Sequence, residues 1–256
     1  MYSPNYHKDK MNKIAVVTGG GRGIGRVVCL TLAANGWTVV VAGKSLENIT
    51  QVAKEAASES IAIQCDVTDP QSVKNLFDQI KAKFGRVDLL FNNAGISSRY
   101  VTMDELAADE WNKVVNTNLN GSFYCTQNAF GLMKSQSPQG GRIINNGSIA
   151  AHAPRPNSAP YAATKHAITG LTKSTSLDGR AFNIACGQID IGNADTELAA
   201  TQKGGIVQSN GIMMVEPTIN PQHVADAVLH MANLPLDVNV LFMTVMATNM
   251  PYVGRG

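Results

Sequence analysis

Tyr161 and Lys165 stand four positions apart in Tyr161-Ala-Ala-Thr-Lys165, and Ser148 lies thirteen positions before the tyrosine. On a helix, residues at i and i+4 share one face. A free tyrosine titrates near pKa ~10 and is a poor acid or base at neutral pH. A neighbouring ammonium stabilises the phenolate, and a fall of roughly three units requires about 4 kcal/mol of differential interaction. A lysine with a positively charged cofactor ring could supply that. Ser148 can then hold a substrate oxygen while Tyr161 passes the proton. Upstream lies Thr18-Gly19-Gly20-Gly21-Arg22-Gly23-Ile24-Gly25. Its glycines permit a tight turn and close approach of backbone N–H groups to a pyrophosphate at a helix start. A phosphate cradle and a proton-transfer group are the two halves of a hydride-transfer site.

The flanking pattern alternates strand and helix. Short apolar runs predict strands at 13–18, 37–42, 61–65, 87–91, 142–146, 182–185 and 238–245. Helical spacing predicts helices at 23–35, 46–57, 70–84, 103–135 (broken near Gly121), 159–179 and 221–234. Gly36 is a helix stop, and Asp69-Pro70 is a helix start. Apolar strands between helices indicate a parallel sheet covered on both faces. With right-handed crossovers this is a doubly wound, Rossmann-like three-layer sandwich of about seven strands. The chain reads as one domain over 13–256, preceded by a flexible polar arm over 1–12.

Composition narrows the function. With 44% hydrophobic and 16% charged residues the chain is an ordinary globule. A net charge of +2 gives no reason to expect nucleic acid or an anionic membrane as partner. No apolar run approaches the ~18 residues of a membrane span. Cys29, Cys65, Cys125 and Cys186 are scattered, without a C-x-x-C pair. They read as small core residues in a reducing compartment, so the expected location is the cytoplasm and no metal site is expected.

Taken together, the chain resembles the short-chain dehydrogenase/reductase family in its single-domain form, from about Lys13 to about Ala247. The resemblance rests on the TGGGRGIG stretch, Asn92-Asn93-Ala94-Gly95, Asn118, Ser148 and Tyr161-x-x-x-Lys165. The loop spacing, Gly19-x-x-x-Gly23-x-Gly25, is that family's version of the dinucleotide fingerprint. The resemblance implies that Ser148 orients the substrate oxygen, Tyr161 is the acid/base, and Lys165 depresses its pKa and bonds the nicotinamide ribose. It implies that Asn118 distorts its helix and holds a relay water. Three asparagines and a glycine within 116–121 are poor helix formers, which agrees with a distortion there. Asn116 and Asn120 are expected on the helix surface. Asn92 is expected to be structural.

The resemblance also places Gly19, Gly21, Arg22, Gly23, Ile24 and Gly25 on the cofactor, with Asp66 and Val67 at the adenine and Asn93, Ala94 and Gly95 along the dinucleotide. The end of the second strand has Gly43-Lys44 where NAD users commonly carry an acidic residue. Lys44 and Arg22 are two cations suited to a 2′-phosphate. NADP(H) is therefore favoured, with NAD(H) possible. After the sixth strand, relatives read Pro-Gly and a threonine four positions on. Here Cys186-Gly187 replaces the pair and Ile191 the threonine. Gly187 and the backbone of Ile189 are the expected nicotinamide contacts, with Asp190, Asn193 or Thr196 as substitutes.

The substrate pocket is expected from 96–101, 149–160 and 190–217. His152, Arg155 and Asn157 stand either at the site or on exposed loops. Met213, Met214, Met243, Met246 and Met250 are expected in the core or at a subunit contact. The small-molecule substrate is a carbonyl or alcohol, and the assembly a homo-oligomer, tetramer or dimer. Two other readings stay open: an NAD(H)-dependent alcohol dehydrogenase, and an idle dinucleotide-binding scaffold. A sugar-nucleotide epimerase needs a longer chain.

Overall fold

The computed structural model describes residues 13–56, 59–196 and 204–253. The expected arm, residues 1–12, and the last three residues of the chain lie outside them. The elements are β1 (Lys13–Thr18), α1 (Gly23–Ala34), β2 (Trp37–Gly43), α2 (Leu46–Glu55), β3 (Ile61–Gln64), α3 (Pro70–Phe84) and β4 (Leu89–Asn92). There follow α4 (Ala108–Val115), α5 (Gly121–Ser135), β5 (Gly141–Asn146), α6 (Ala159–Gly179) and β6 (Ile184–Ile191). The chain closes with β7 (Ile206–Val207), β8 (Met213–Met214), α7 (Pro221–Asn233) and β9 (Phe242–Val245).

Seven strands form one parallel sheet in the order β3-β2-β1-β4-β5-β6-β9. The winding reverses between β1 and β4, which opens a crevice at the strands' carboxyl ends. Alternate side chains serve opposite faces. Ala15, Val17, Val39 and Val41 pack with α1, α2 and α7, whereas Ile14, Val16, Val40 and Ala42 pack with α3 and α5. Helix ends follow local chemistry. Asp69 accepts a bond from the Gln71 N–H with Pro70 in the first turn, and Gly85 ends α3 at φ 71°.

Three departures from the sequence pattern bear on the site. The long helix expected at 103–135 is a 3₁₀ turn (Met103–Glu105), α4, one π turn (Asn116–Asn120) and α5. The strand expected at 182–185 begins at Ile184 and runs to Ile191, all eight residues buried. Gly187, Gln188 and Asp190 interrupt its apolar run and so conceal its length. The last strand is shorter than expected. The buried Arg142 guanidinium binds the carbonyls of Leu234, Pro235 and Val238 at 2.8–3.3 Å, which holds that stretch as a loop.

The β7–β8 ribbon is antiparallel, and no sequence pattern announced it. It leaves Met213 and Met214 exposed, contrary to a core role, whereas Met250 is buried.

Candidate active site

A cleft of about 670 Å³ opens at the carboxyl ends of the strands. Gly19, Gly21, Arg22, Gly23 and Ile24 line it. Gly19 adopts φ 63°, and a Cβ there would sit 3.0 Å from the Ala94 backbone. Gly25 lies beneath the loop instead of on the lining. Its Cβ would meet the Gly19 carbonyl at 2.3 Å, so only glycine lets α1 begin this close to the turn. Thr18 Oγ1 accepts bonds from the N–H groups of Asn93 and Ala94, both at 3.0 Å. Asn93 Nδ2 returns one to the Thr18 carbonyl at 2.9 Å. The glycine loop and the Asn93-Ala94-Gly95 wall are thereby one unit, and all three wall residues line the cleft. This cradle fits a dinucleotide pyrophosphate, which backbone N–H groups and the α1 N-terminus would hold.

At the end of β2 the lining comprises Gly43, Lys44 and Ser45, joined by Asn48 of α2. Lys44 Nζ lies 2.9 Å from Asp66 Oδ2. Asp66 itself is off the lining, while Cys65, Val67 and Thr68 are on it. Burial would raise the Asp66 carboxyl, but bonds from Thr68 and Lys44 outweigh it and hold the group below its usual range. The described lining carries five cationic side chains, Arg22, Lys44, Lys113, Arg155 and Lys165, and no Asp or Glu. That charge pattern suits a polyphosphate ligand.

Tyr161 and Lys165 project from one face of α6 into the same cleft as Ser148. Lys165 Nζ lies 5.4 Å from the Tyr161 ring centroid and donates to the Asn146 carbonyl at 2.7 Å. Burial pulls the Lys165 ammonium down to about 8, with the Asp190 carboxylate opposing. Burial pushes the Tyr161 phenol up, against the Ser148 hydroxyl bond and the Arg155 charge. The net direction is opposite to the depression expected from the lysine, because removing a phenolate from water costs more than these neighbours return. Without a cofactor cation the phenol is in its acid form at neutral pH.

Asn118 sits in the π turn, 3% exposed. Its Nδ2 donates to the Ile96 carbonyl at 3.0 Å and to Thr164 Oγ1 at 3.3 Å, and its Oδ1 accepts from the Ile96 N–H at 2.9 Å. It does not line the cleft. Both side-chain amide hydrogens are engaged by protein. Its neighbours Asn116 and Thr117 do reach the cleft, with Lys113 one turn earlier. Asn116 stays exposed on the helix surface, as the sequence suggests, and stands at the rim of the cleft. Asn92 donates to Thr126 Oγ1 and Asn145 Oδ1, both at 2.9 Å, as a structural residue would.

The segment after β6 requires a correction. Gly187 and Ile189 lie inside the strand, and neither lines the cleft. A Cβ on Gly187 would meet the Val240 carbonyl at 2.1 Å, so that glycine serves β6–β9 packing. The lining is instead Ile191, Gly192, Asn193, Ala194 and Thr196. Thr196 stands four positions beyond Gly192, so the glycine–threonine spacing exists five residues later than the sequence register placed it. It also comes within 3.7 Å of the position a Gly23 Cβ would take.

On the substrate side, Ile96, Ser97, Tyr100, Ile149, Arg155 and Asn193 form the wall. Arg155 is ion-paired with the buried Glu216, and its Nη2 donates to Asn193 Oδ1 at 3.0 Å. Asn193 and Gln208 also donate to Glu216, at 2.8 and 3.0 Å. Burial would raise the Glu216 carboxyl, but Arg155, Gln208 and Asn193 together hold it low. This cluster latches the 206–217 segment to the cleft wall. His152 turns away to Asp190, and Asn157 is exposed at φ 61°. Among the described residues no group of three His, Cys, Asp or Glu could hold a metal ion. No described helix is long and apolar enough to cross a membrane.

The family model for short chain dehydrogenases matches residues 13–205. A 3beta-hydroxysteroid dehydrogenase of Mediterraneibacter gnavus is 38% identical over 197 residues, covering 76% of this chain and 70% of that protein. The 3-oxoacyl-[acyl-carrier-protein] reductase FabG of Staphylococcus aureus is 40% identical over 173 residues, covering 66% and 69%. The 3-ketoacyl-(acyl-carrier-protein) reductase of Brucella melitensis, solved with NADH, superposes with a TM-score of 0.83 at 25% identity, over 93% of this chain and 98% of that one. An actinorhodin polyketide ketoreductase variant, solved with NADPH, gives 0.83 at 26% identity over 92% and 96%. On its fold, its cleft and these relatives, the chain belongs to the short-chain dehydrogenase family, oxidoreductases of CH–OH and C=O groups that use NAD(P).

Proposed function

We propose that the protein is an NADP(H)-dependent oxidoreductase that interconverts a carbonyl and a secondary alcohol, with Tyr161 as acid/base. The observation that carries this reading is a single cleft with Ser148, Tyr161 and Lys165 at one end, Lys44 and Arg22 at the other, and no Asp or Glu among its described lining residues. The nicotinamide, when bound, supplies or accepts the hydride. The chain's own residues do the rest. Ser148 Oγ donates a bond to the substrate oxygen and fixes it against Tyr161. Tyr161 Oη, protonated in its buried setting, gives its proton to that oxygen in reduction and takes it back in oxidation. Lys165 stabilises the phenolate left behind and orients the cofactor ribose. Asn118 acts at one remove, since it anchors Ile96 on the cleft wall.

Lys44 reaches the 2′-phosphate by exchanging Asp66 for it. The relatives' names suggest a substrate with an oxygen at the third carbon of a steroid or acyl chain, and Ile96, Ile149 and Tyr100 supply an apolar wall for it. A cytoplasmic homo-oligomer completes the reading. Trp111 and Phe123 on α4 and α5, and Leu177 and Phe242 near the β9 edge, are exposed apolar groups that such an assembly would cover.

Fluorescence titration with NADPH and NADH tests the cofactor assignment. NADPH is expected to bind more tightly, and Lys44→Ala to lose about tenfold of that preference, the size of one charge-assisted hydrogen bond. Tighter NADH binding would transfer the assignment to an NAD(H)-dependent alcohol dehydrogenase.

A further inference from the structure

Asp190 is 1% exposed, and the proton-transfer scheme above gives it no part. A carboxylate this deep is costly unless several partners hold it. Its Oδ1 accepts from the Ser148 N–H at 3.0 Å and from Gln188 Nε2 at 2.7 Å, and its Oδ2 is 2.8 Å from His152 Nε2. Gly147 allows this approach, since a Cβ there would lie 2.1 Å from Asp190 Oδ1. The residue before Gly147 is Asn146, whose carbonyl binds Lys165 Nζ. One carboxylate thus borders the backbone that carries Ser148 and the backbone that holds Lys165.

The support behind it is also polar. Gln188 Nε2 contacts Thr169 Oγ1, Gln188 Oε1 contacts Thr172 Oγ1, and Asn145 Nδ2 donates to Thr172, at 3.1, 3.1 and 2.9 Å. A strand interior normally takes Val or Ile at such positions. An apolar β6 would be simpler to fold, so this arrangement serves the position of the charge.

We propose that Asp190 is a positioning residue of the reaction: its carboxylate fixes the backbone at Ser148 and, bordering the strand end whose Asn146 carbonyl binds Lys165, stands as counter-charge to that ammonium. This inference rests on the proton-transfer reading above. The charged and titratable groups around the pair are Lys165 and Tyr161 from α6, Asp190 from β6, and His152 and Arg155 from the segment after β5. Loss of the Asp190 charge removes a stabilising partner from the Lys165 cation, so the lysine pKa falls. Activity in the alkaline range, which needs the ammonium, then fails at a lower pH.

The test uses Asp190→Asn, which keeps an acceptor for Ser148 and Gln188 while removing the charge. The Nζ resonance of Lys165 in ¹⁵N-lysine-labelled protein, identified by its loss in Lys165→Arg, is titrated without cofactor. The expected midpoint in Asp190→Asn is lower than in the wild type by about one unit. The alkaline limb of kcat moves the same way, while Asp190→Ala, which also frees the Ser148 N–H, loses further kcat. His152→Gln keeps a donor to Asp190 and removes the imidazole, so any limb belonging to His152 is separated. Asp190→Ser carries the same comparison if Asp190→Asn does not fold. Coincident Lys165 midpoints in wild type and variant would overturn the proposal. The resonance is read without turnover, so this result is independent of whether Tyr161 is the acid/base.

Discussion

The β2-β1-β4 half of the sheet and its β5-β6 half do different work. The first is apolar inside: Val16, Val17, Val39, Val40, Val41, Leu90 and Phe91 are fully buried. The second carries Arg142, Asn145, Gln188 and Asp190 at 0–1% exposure. Both buried side-chain polar atoms without a partner among the described residues, Asn92 Oδ1 and Arg142 Nε, touch this second half. The apolar half needs only shape, because the glycine loop above it presents backbone N–H groups, which in the proposed function hold the pyrophosphate. The polar half must hold Ser148, Tyr161 and Lys165 in fixed orientation, and hydrogen bonds are directional where apolar packing is not.

That contrast can be broken from either side. Phe91→Ala removes a large side chain from the apolar half and is expected to cost about 3–5 kcal/mol in denaturant unfolding, with the alkaline limb of the surviving activity unmoved. Asn145→Ala removes one hydrogen bond from Asn92 and one from Thr172 and is expected to cost about 1–3 kcal/mol, accompanied by a fall in kcat that Phe91→Ala does not show. Equal kcat effects from both would erase the distinction.

A finer test uses pH. Lys165 titrates at about 8 in the folded protein against a reference value of 10.5. Between those values the unfolded chain holds the proton and the folded chain does not, so this group's burial penalty lessens as pH rises. Lys165→Met never carries the penalty. Its stability advantage over wild type is therefore expected to shrink from pH 8 to pH 10, while wild-type activity falls over the same range. A constant advantage would show that the ammonium is not buried as described.

The same division explains what the sequence disclosed. The strands of the apolar half, the glycine loop and the limits of α3 and α6 follow from apolar period, Gly and Pro punctuation, and Asp69. The Tyr161, Lys165 and Ser148 constellation was legible because its spacing is local. β6 was not, since Gln188 and Asp190 look like loop residues until their partners on α6 and β5 are known. That misreading moved the glycine–threonine pair by five positions and put Gly187 and Ile191 where Gly192 and Thr196 stand. The distortion at 116–120 was signalled by its poor helix formers, but the partner that Asn118 bonds, Ile96, lies 22 residues away and was not. The Arg155–Glu216 latch spans 61 residues and leaves no local trace.

The most direct test of the account is single-turnover oxidation of NADPH by wild type and Tyr161→Phe, with a 3-oxoacyl thioester and a 3-ketosteroid as substrates. The wild type is expected to oxidise NADPH with one of them. Tyr161→Phe is expected to bind NADPH with unchanged fluorescence and to be slower by about 10²–10⁴-fold, the range for loss of a positioned acid. A variant that turns over at the wild-type rate would contradict the assignment of Tyr161 as the proton donor.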